Sequence, residues 1–369
     1  MIKVCHISTV HNAFDDRIFH KECVSLAKAG FDITLIVKHD KNEVVDGVKI
    51  SALLNKSSRS YRIISQFIAF SKAIKVKAGV YHFHDPELML IGVLLRLFGK
   101  KVIYDVHEDI VKQVYYKKWI KFTFIRAMLS KIIKYLEKFC SLFFVKIVVV
   151  TDDIAVKFPP KKTILIRNYP IIELIDNQPI NNSKVENTIR LIYAGGLTEV
   201  RGIKEIIASL EFISQDIELL LLGPWESEEY MQECKNINSW NKVKYLGMLN
   251  LEDVYPYIKS SDIGLSLLYP AKNYITSLPV KAFEYMACEK PMIMSNFDYW
   301  KEIFGGVALF CDPMNSKEIA LCIQQLIDDK FKAQELGKKG RKLILEKFSW
   351  EAESLRLVEM YHGLSKNKQ

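Results

Sequence analysis

YAGGLTEVRGIKEIIASL, residues 193–210, reads as the end of a strand, a glycine pair, a polar turn and the start of a helix. An apolar run ending at Ala194, followed from Ile203 by apolar residues at helical spacing, is one β/α unit, and repeats of such units build parallel sheets. The turn also has a chemistry of its own. A helix start offers free backbone N–H groups and the positive end of the helix dipole, and Gly195 and Gly196 let the backbone come close to an anion. With Arg201 and Lys204 just beyond, the segment suits a phosphate. An ordinary β/α turn with surface cations would read the same way.

The alternation continues on both sides of this segment. Strands are expected at Lys3–Ile7, Asp32–Val37, Val48–Ala52, Gly79–Phe83, Lys101–Tyr104 and Lys146–Val150 in the first half. In the second half they are expected at Arg190–Ala194, Ile217–Leu222, Val243–Leu246, Ile263–Leu267 and Met292–Met294, with helices from Ile203 and Pro279. Two such series in 369 residues imply two α/β domains. The passage from Asn168 to Thr188, with two prolines and five asparagines, has the composition of a linker. The expected division is therefore residues 1–170, a linker at 171–189, and residues 190–349, with a last helix at 350–366 that could return to the first domain.

Ligands of open parallel sheets gather beyond the carboxyl ends of the strands. His6, His39, His84 with Asp85, and His107 with Glu108 all follow apolar strand runs, and seven of the eight histidines lie at or before position 107. A histidine or carboxylate placed there can orient a hydroxyl or take its proton, or it can simply satisfy loop backbone groups. His82, His84 and Asp85 in YHFHDPELM have a spacing a metal could use, but no third ligand cluster stands out in the sequence, so no metal is expected. In NYITSLPVKAFEYMACEKPMI (273–293), Pro279 suits a first helical turn and Lys281 and Glu284 share a helix face. A carboxylate there can accept from both hydroxyls of a ribose while the lysine reaches phosphate. The same pair could be a surface salt bridge of little worth.

Charge is unevenly distributed. Through Pro170 there are 29 Lys and Arg against 15 Asp and Glu, a net +14, which leaves 23 against 28, a net −5, for the rest. The first half therefore faces something anionic. From Lys112 to Lys138, seven lysines and Arg126 stand against Glu137 alone, interleaved with Tyr115, Tyr116, Trp119, Phe122 and Phe124. Basic residues among aromatics suit a segment lying on anionic lipid, with Ile132, Ile133, Leu136 and Phe139 as its inner face. A core-packed helix with a solvated lysine face is the alternative. No recognised nucleic-acid module accompanies the patch, so nucleic acid is not expected as a partner. No window of eighteen apolar residues predicts a spanning helix, and MIKVCHISTV reads as a strand instead of a secretory signal, which places the chain in the cytoplasm. The seven scattered cysteines fit reduced, buried thiols.

Together these residues resemble the retaining glycosyltransferases of family 4, in the branch that builds bacterial surface polysaccharides such as O-antigen and capsule. The resemblance extends over nearly the whole chain and is densest in the second half. The family signature has two glutamates separated by seven residues; Glu284, Met286, Ala287, Cys288 and Pro291 match its second part, while Thr276 stands where the first glutamate is expected. Gly196 replaces the family's usual arginine, and Arg201 replaces its lysine. HNAFDDRIFHKECVSLAKAGFDITLI and YDVHEDI also resemble one branch of the family.

The resemblance implies a GT-B fold, with two Rossmann-like β/α/β domains facing each other across a cleft. It implies a retaining transfer of sugar from a UDP- or GDP-sugar to a lipid-linked oligosaccharide, on the inner face of the plasma membrane, with no metal cofactor. Gly195, Gly196, Arg201, Lys204, Thr276, Ser277, Lys281 and Glu284 would hold the donor, Glu284 at its ribose and Lys281 in place of the missing phosphate cation. Asp16, Arg17 and His84 would face the acceptor, and His107, Asp85 and Glu108 would serve the chemistry. A sugar-nucleotide epimerase of the same fold and a catalytically silent binding homologue are the alternatives.

Overall fold

The computed structural model describes residues 2–54, 59–116, 122–270 and 274–366. They form two compact units, Met1–Asn168 with Glu351–Gln369, and Tyr169–Trp350.

The first unit is built on an eight-stranded sheet of β1 (Lys3–Asn12), β2 (Asp32–Lys38), β3 (Glu43–Val45), β4 (Val48–Leu53), β5 (Val80–Phe83), β6 (Lys101–Val106), β7 (Lys146–Val149) and β8 (Thr163–Leu165). Their order is β3-β4-β2-β1-β5-β6-β7-β8, parallel throughout except for β3, which runs antiparallel along β4. Helices lie between most parallel strands, so the central strands are buried on both faces and read as near-continuous apolar runs. Ile7, Ile36, Tyr81, Phe83, Val102, Tyr104 and Ile147 belong to the core, where the Phe83 and Tyr104 rings stack at 4.7 Å.

Besides the short strands β3 and β8, two features were not expected. β1 continues five residues past Ile7, with its register on β2 interrupted between Ile7 and Asn12. After it comes a π-helical turn, Asp16–Cys23, capped by Asp15, which accepts from the Arg17 and Ile18 amides at 3.0 and 2.9 Å. The closing helix, Trp350–Lys366, belongs to this unit from Glu351 onward: Glu353 accepts from the Arg167 amide at 3.0 Å, and Tyr361 is buried among the histidines of the sheet.

Part of the basic segment lies outside the described residues, including Lys117, Lys118, Trp119 and Lys121. The described remainder holds the helix Thr123–Ser141. Phe124, Met128, Ile132, Tyr135 and Phe139 recur every three or four residues and are all exposed, as are Lys131, Lys134 and Lys138 beside them. The expected inner face is thereby corrected. Ile132 and Phe139 point outward, whereas Leu136 packs on the core and Ile133 is half-buried. Glu137, the one acid, is buried and accepts from the Tyr104 hydroxyl at 3.1 Å.

The second unit has a six-stranded, fully parallel sheet of β9 (Ile189–Ala194), β10 (Ile217–Leu222), β11 (Val243–Gly247), β12 (Ile263–Ser266), β13 (Met292–Ser295) and β14 (Ala308–Cys311). The order is β11-β10-β9-β12-β13-β14. One core layer gathers Ile206, Leu219 and Leu265, and another Ile192, Leu220, Phe283 and Trp300. The stretch 171–189 is not a free linker. It contains the helix Ile172–Asp176, and Tyr169, Ile172 and Ile175 are buried in this unit's core. Its prolines and asparagines mark turns, while the apolar residues between them anchor the segment. Among the described residues all seven cysteines are free thiols, six of them buried.

Candidate functional site

In the second unit, the carboxyl ends of β9 and β10 bring two glycine turns into close contact. Gly195 has φ 134° and donates from its amide to the Leu222 carbonyl at 2.8 Å; Gly223 has φ 133°, and a β-carbon there would collide with the Gly195 carbonyl. Two cations crowd this turn. A β-carbon on Gly195 would stand 3.0 Å from Lys281 Nζ and 3.3 Å from Arg201 Nη1. Arg201 is held by donating to the Gly196 carbonyl at 3.1 Å, and the Lys281 ammonium lies 3.4 Å from the centre of the Tyr193 ring. Burial and the neighbouring guanidinium push the Lys281 pKa well below the ordinary lysine value, with Glu284 opposing them.

Lys281 and Glu284 lie on the helix Val280–Ala287, which begins directly after Pro279. Glu284 is half-buried and accepts from the Tyr255 hydroxyl at 3.5 Å. Two positive side chains beside a glycine-lined backbone, with a carboxylate one helical turn away, are what a nucleoside diphosphate requires.

Other expected donor residues are placed differently. Lys204 is paired with Glu233 and lies over the Tyr230 ring, so its charge is spent on a surface ion pair. Ser277 donates to the Tyr274 carbonyl at 2.8 Å, and its own carbonyl accepts from the Trp300 indole at 2.6 Å, so it closes a turn. Thr276 is half-buried in the same turn. Gly223 was missed: LLGPW shows one glycine after an apolar run, and nothing in the spelling says that β10 presses it against Gly195.

In the first unit, the ends of β1, β5 and β6 converge on a buried polar cluster. His84 is hydrogen-bonded through Nε2 to His6 Nδ1 at 2.9 Å, and its Nδ1 lies 3.2 Å from Asp105 Oδ2 and 3.1 Å from His107 Nε2. His107 Nε2 is 2.9 Å from Asp105 Oδ2. Arg17 donates to both Asp105 oxygens at 3.2 and 3.1 Å, to the Ile166 carbonyl at 3.2 Å, and lies 3.1 Å from Glu22. Burial would raise the Asp105 pKa, but Arg17 and then His107 outweigh it and hold the carboxyl well below the usual range. Burial, helped by the neighbouring histidines and opposed by Asp105, pushes His6 and His82 well below the ordinary histidine value.

Arg17 therefore does not face an acceptor. It is 4% exposed and serves as the internal counter-ion of Asp105 and Glu22. His84, also expected to face the acceptor, is buried and lies behind His107. Asp85 is buried as well, and its Oδ2 accepts from the Ser8 hydroxyl at 3.1 Å and from the Thr9 and Val10 amides; it shapes the end of β1 and is not a free base. Of the expected residues, His107 keeps part of its ring exposed, Glu108 is exposed beside Gln113, and Asp16 is half-exposed and paired with Lys21 at 2.6 Å. His39 pairs with Glu43 at 2.5 Å, apart from this cluster. Asp105, Glu22 and Tyr361 were missed, since a charge inside an apolar strand or helix carries no visible partner in the sequence.

Residues 175–343 match the family described as glycosyl transferases group 1. An uncharacterized glycosyltransferase of Methanocaldococcus jannaschii is 24% identical over 187 residues, covering 48% of this chain and 46% of that protein. The chain spans less than two thirds of the length of the curated relatives it matches. Among solved structures, sucrose-phosphate synthase from Thermosynechococcus elongatus superposes with a TM-score of 0.78 at 19% identity, covering 99% of this chain and 100% of that one. HepE of Anabaena, in complex with UDP and glucose, gives 0.74 at 14% identity, covering 98% and 100%. The chain has the GT-B fold, and with the family match lying over its second unit the comparisons support a glycosyltransferase.

Proposed function

We propose that the chain is a retaining glycosyltransferase that takes a sugar from a UDP- or GDP-sugar and places it on a lipid-linked oligosaccharide. The observation that carries this reading is the pairing of Arg201 and Lys281 at the Gly195–Gly196 turn, two cations whose mutual repulsion an incoming diphosphate would relieve. Charge that develops on the departing diphosphate is best stabilised by such preorganised donors, so the transfer step needs no metal. Glu284 would take the ribose hydroxyls of the nucleotide; HepE, which shares the fold, is found in complex with UDP.

The exposed stripe of Phe124, Met128, Ile132, Tyr135 and Phe139, flanked by three lysines, supports a first unit that rests on an anionic membrane surface. No described helix is long and apolar enough to cross a membrane. His107, held by Asp105, is the group best placed to orient an acceptor hydroxyl. Thr276 at the place of a signature glutamate favours one rival, a homologue that binds donor without turnover.

Thermal melts with UDP-, GDP-, ADP- and CMP-sugars on the wild type and Glu284→Ala test the donor site, because a ligand of the native state raises its melting temperature. A rise with a UDP- or GDP-sugar that Glu284→Ala abolishes is the expected result, and no rise with any nucleotide refutes the reading. Transfer of labelled sugar to a polyprenyl-diphosphate glycan then separates enzyme from silent homologue.

A further inference from the structure

Behind His107 and Asp105, the first unit holds four side chains that the transfer reading does not use: His6, Glu22, His82 and His84. All are buried, and one potential ligand atom from each lies within 4.8 Å of the others. Glu22 Oε2 stands 3.7 Å from His82 Nδ1 and 4.0 Å from His6 Nδ1, and His6 Nδ1 is 2.9 Å from His84 Nε2. None of these carboxylate contacts is a hydrogen bond. Glu22 is 0% exposed and neither of its oxygens accepts one among the described residues, although Oε1 is 3.1 Å from Arg17.

A buried carboxylate oxygen aimed between imidazole nitrogens needs a proton, a water or a cation. A proton on Glu22 would be shared with Asp105 beside the same guanidinium, and it is the alternative to a cation at this place. Charge points the same way: Glu22 and Asp105 share the single guanidinium of Arg17, so one of the two carboxyls needs a proton or a further positive charge. Burial and Asp105 accordingly push the Glu22 pKa well above the carboxylate range. Burial lowers the pKa of all three imidazoles, toward the neutral form that binds metal.

The outer contacts fit a metal as well. Ligating imidazoles usually donate their other N–H to a carboxylate or other fixed acceptor. If His84 ligates through Nε2, its Nδ1–H faces Asp105 Oδ2 at 3.2 Å; if His6 ligates through Nδ1, its Nε2–H faces the Tyr361 hydroxyl at 3.2 Å. His82 differs: its Nδ1, the atom that faces Glu22, is hydrogen-bonded to the same hydroxyl at 2.8 Å and must give up that bond to ligate, and its Nε2 has no partner among the described residues.

We infer that His6, Glu22, His82 and His84 form a buried, four-coordinate zinc site that holds β1, β5 and the π-helical turn together. Three nitrogens and one carboxylate oxygen suit Zn²⁺. Tetrahedral bonds of about 2.1 Å place ligand atoms about 3.4 Å apart, against 2.9, 3.7 and 4.0 Å for three of the pairs and at most 4.8 Å for any, so the ligands would draw together by about an ångström on binding. With four protein ligands and no open position, the site is structural and takes no part in sugar transfer. HISTV and YHFHDP show three of the ligands without the fourth, and only the fold brings Glu22 to them.

The test is metal analysis of the full chain, produced in zinc-supplemented medium and purified without chelator, beside Glu22→Gln, His82→Asn, Tyr361→Phe and the surface variant His362→Ala. The wild type and His362→Ala should hold about one zinc per chain through dialysis, and Glu22→Gln and His82→Asn should lose it. Tyr361→Phe, which removes only an outer contact, should weaken zinc binding about tenfold in a chelator competition. Cobalt refolded into the wild type should give the intense visible bands of a tetrahedral ion, a readout that does not require the ligand variants to fold. A wild type without zinc and without those cobalt bands, or zinc retained equally in Glu22→Gln and His82→Asn, would overturn the proposal and leave a purely hydrogen-bonded cluster.

Discussion

Replacing Lys281 by methionine should move stability and donor affinity in opposite directions. Methionine keeps an apolar stem against Tyr193 and removes the charge. In the free protein that charge is disfavoured, because the ammonium is buried beside Arg201 and its pKa is depressed for that reason. The loss of the ring contact, about 0.5–2 kcal/mol for a cation over an aromatic face, is offset by relief of desolvation and repulsion. The ligand-free melting temperature should therefore hold or rise. With donor present the lysine gains a phosphate partner, and a charge-assisted hydrogen bond contributes about 1.5–3 kcal/mol. Its loss should weaken nucleotide binding about tenfold to hundredfold. Isothermal titration with UDP and GDP, together with ligand-free melts, measures both quantities on one preparation. Undiminished affinity in Lys281→Met would refute the assignment of this lysine to the diphosphate. A steep loss of ligand-free stability would refute the claim that its charge is held at a cost.

Because donor binding should raise the depressed Lys281 pKa, binding takes up a proton. Affinity should be full below the free-state pKa, fall as pH rises through the interval between free and bound values, and lose that slope in Lys281→Arg, as titrations across pH would show. Gly223→Ala should destabilise the second unit by at least about 1–3 kcal/mol from its φ alone, and by more from the collision with Gly195, seen as a lower denaturation midpoint. Phe124→Ser with Phe139→Ser should release the protein from anionic vesicles in a sedimentation assay. Added salt should weaken the wild type's attachment, since each surface lysine contributes about 1 kcal/mol near such a membrane.

Most of the architecture was legible because hydrophobic periodicity is a local signal. Ile217–Leu222 is found with its expected ends, and most other predicted strands differ by one or two residues. β3 and β8 escaped because three residues cannot establish a period, and β14, with four, escaped as well. The stretch 171–189 misled because polar composition outweighed Ile172 and Ile175, whose burial depends on partners far away in sequence. The glycine turn was legible in Gly195 and Gly196, and Arg201 and Lys281 do gather at it with Glu284 one helical turn away, whereas Lys204 and Ser277 found nearer partners that spacing does not disclose. Arg17 was expected at the acceptor through the family resemblance, but the fold spends its charge internally on Asp105 and Glu22. A strand-end position says where a residue sits, not whether its side chain turns toward solvent.

The closing helix gives the polar cluster an unusual place in the order of synthesis. His6, Glu22, His82, His84 and Asp105 all emerge from the ribosome long before Tyr361, and the whole second unit is translated in between. Until the final helix arrives, the nascent first unit carries an incomplete interior in which two imidazoles lack their phenol and the sheet lacks its last cover. A ribosome stalled near residue 350 would thus hold a first unit open to proteases and holdases, and release of the last few turns would act as the step that seals it.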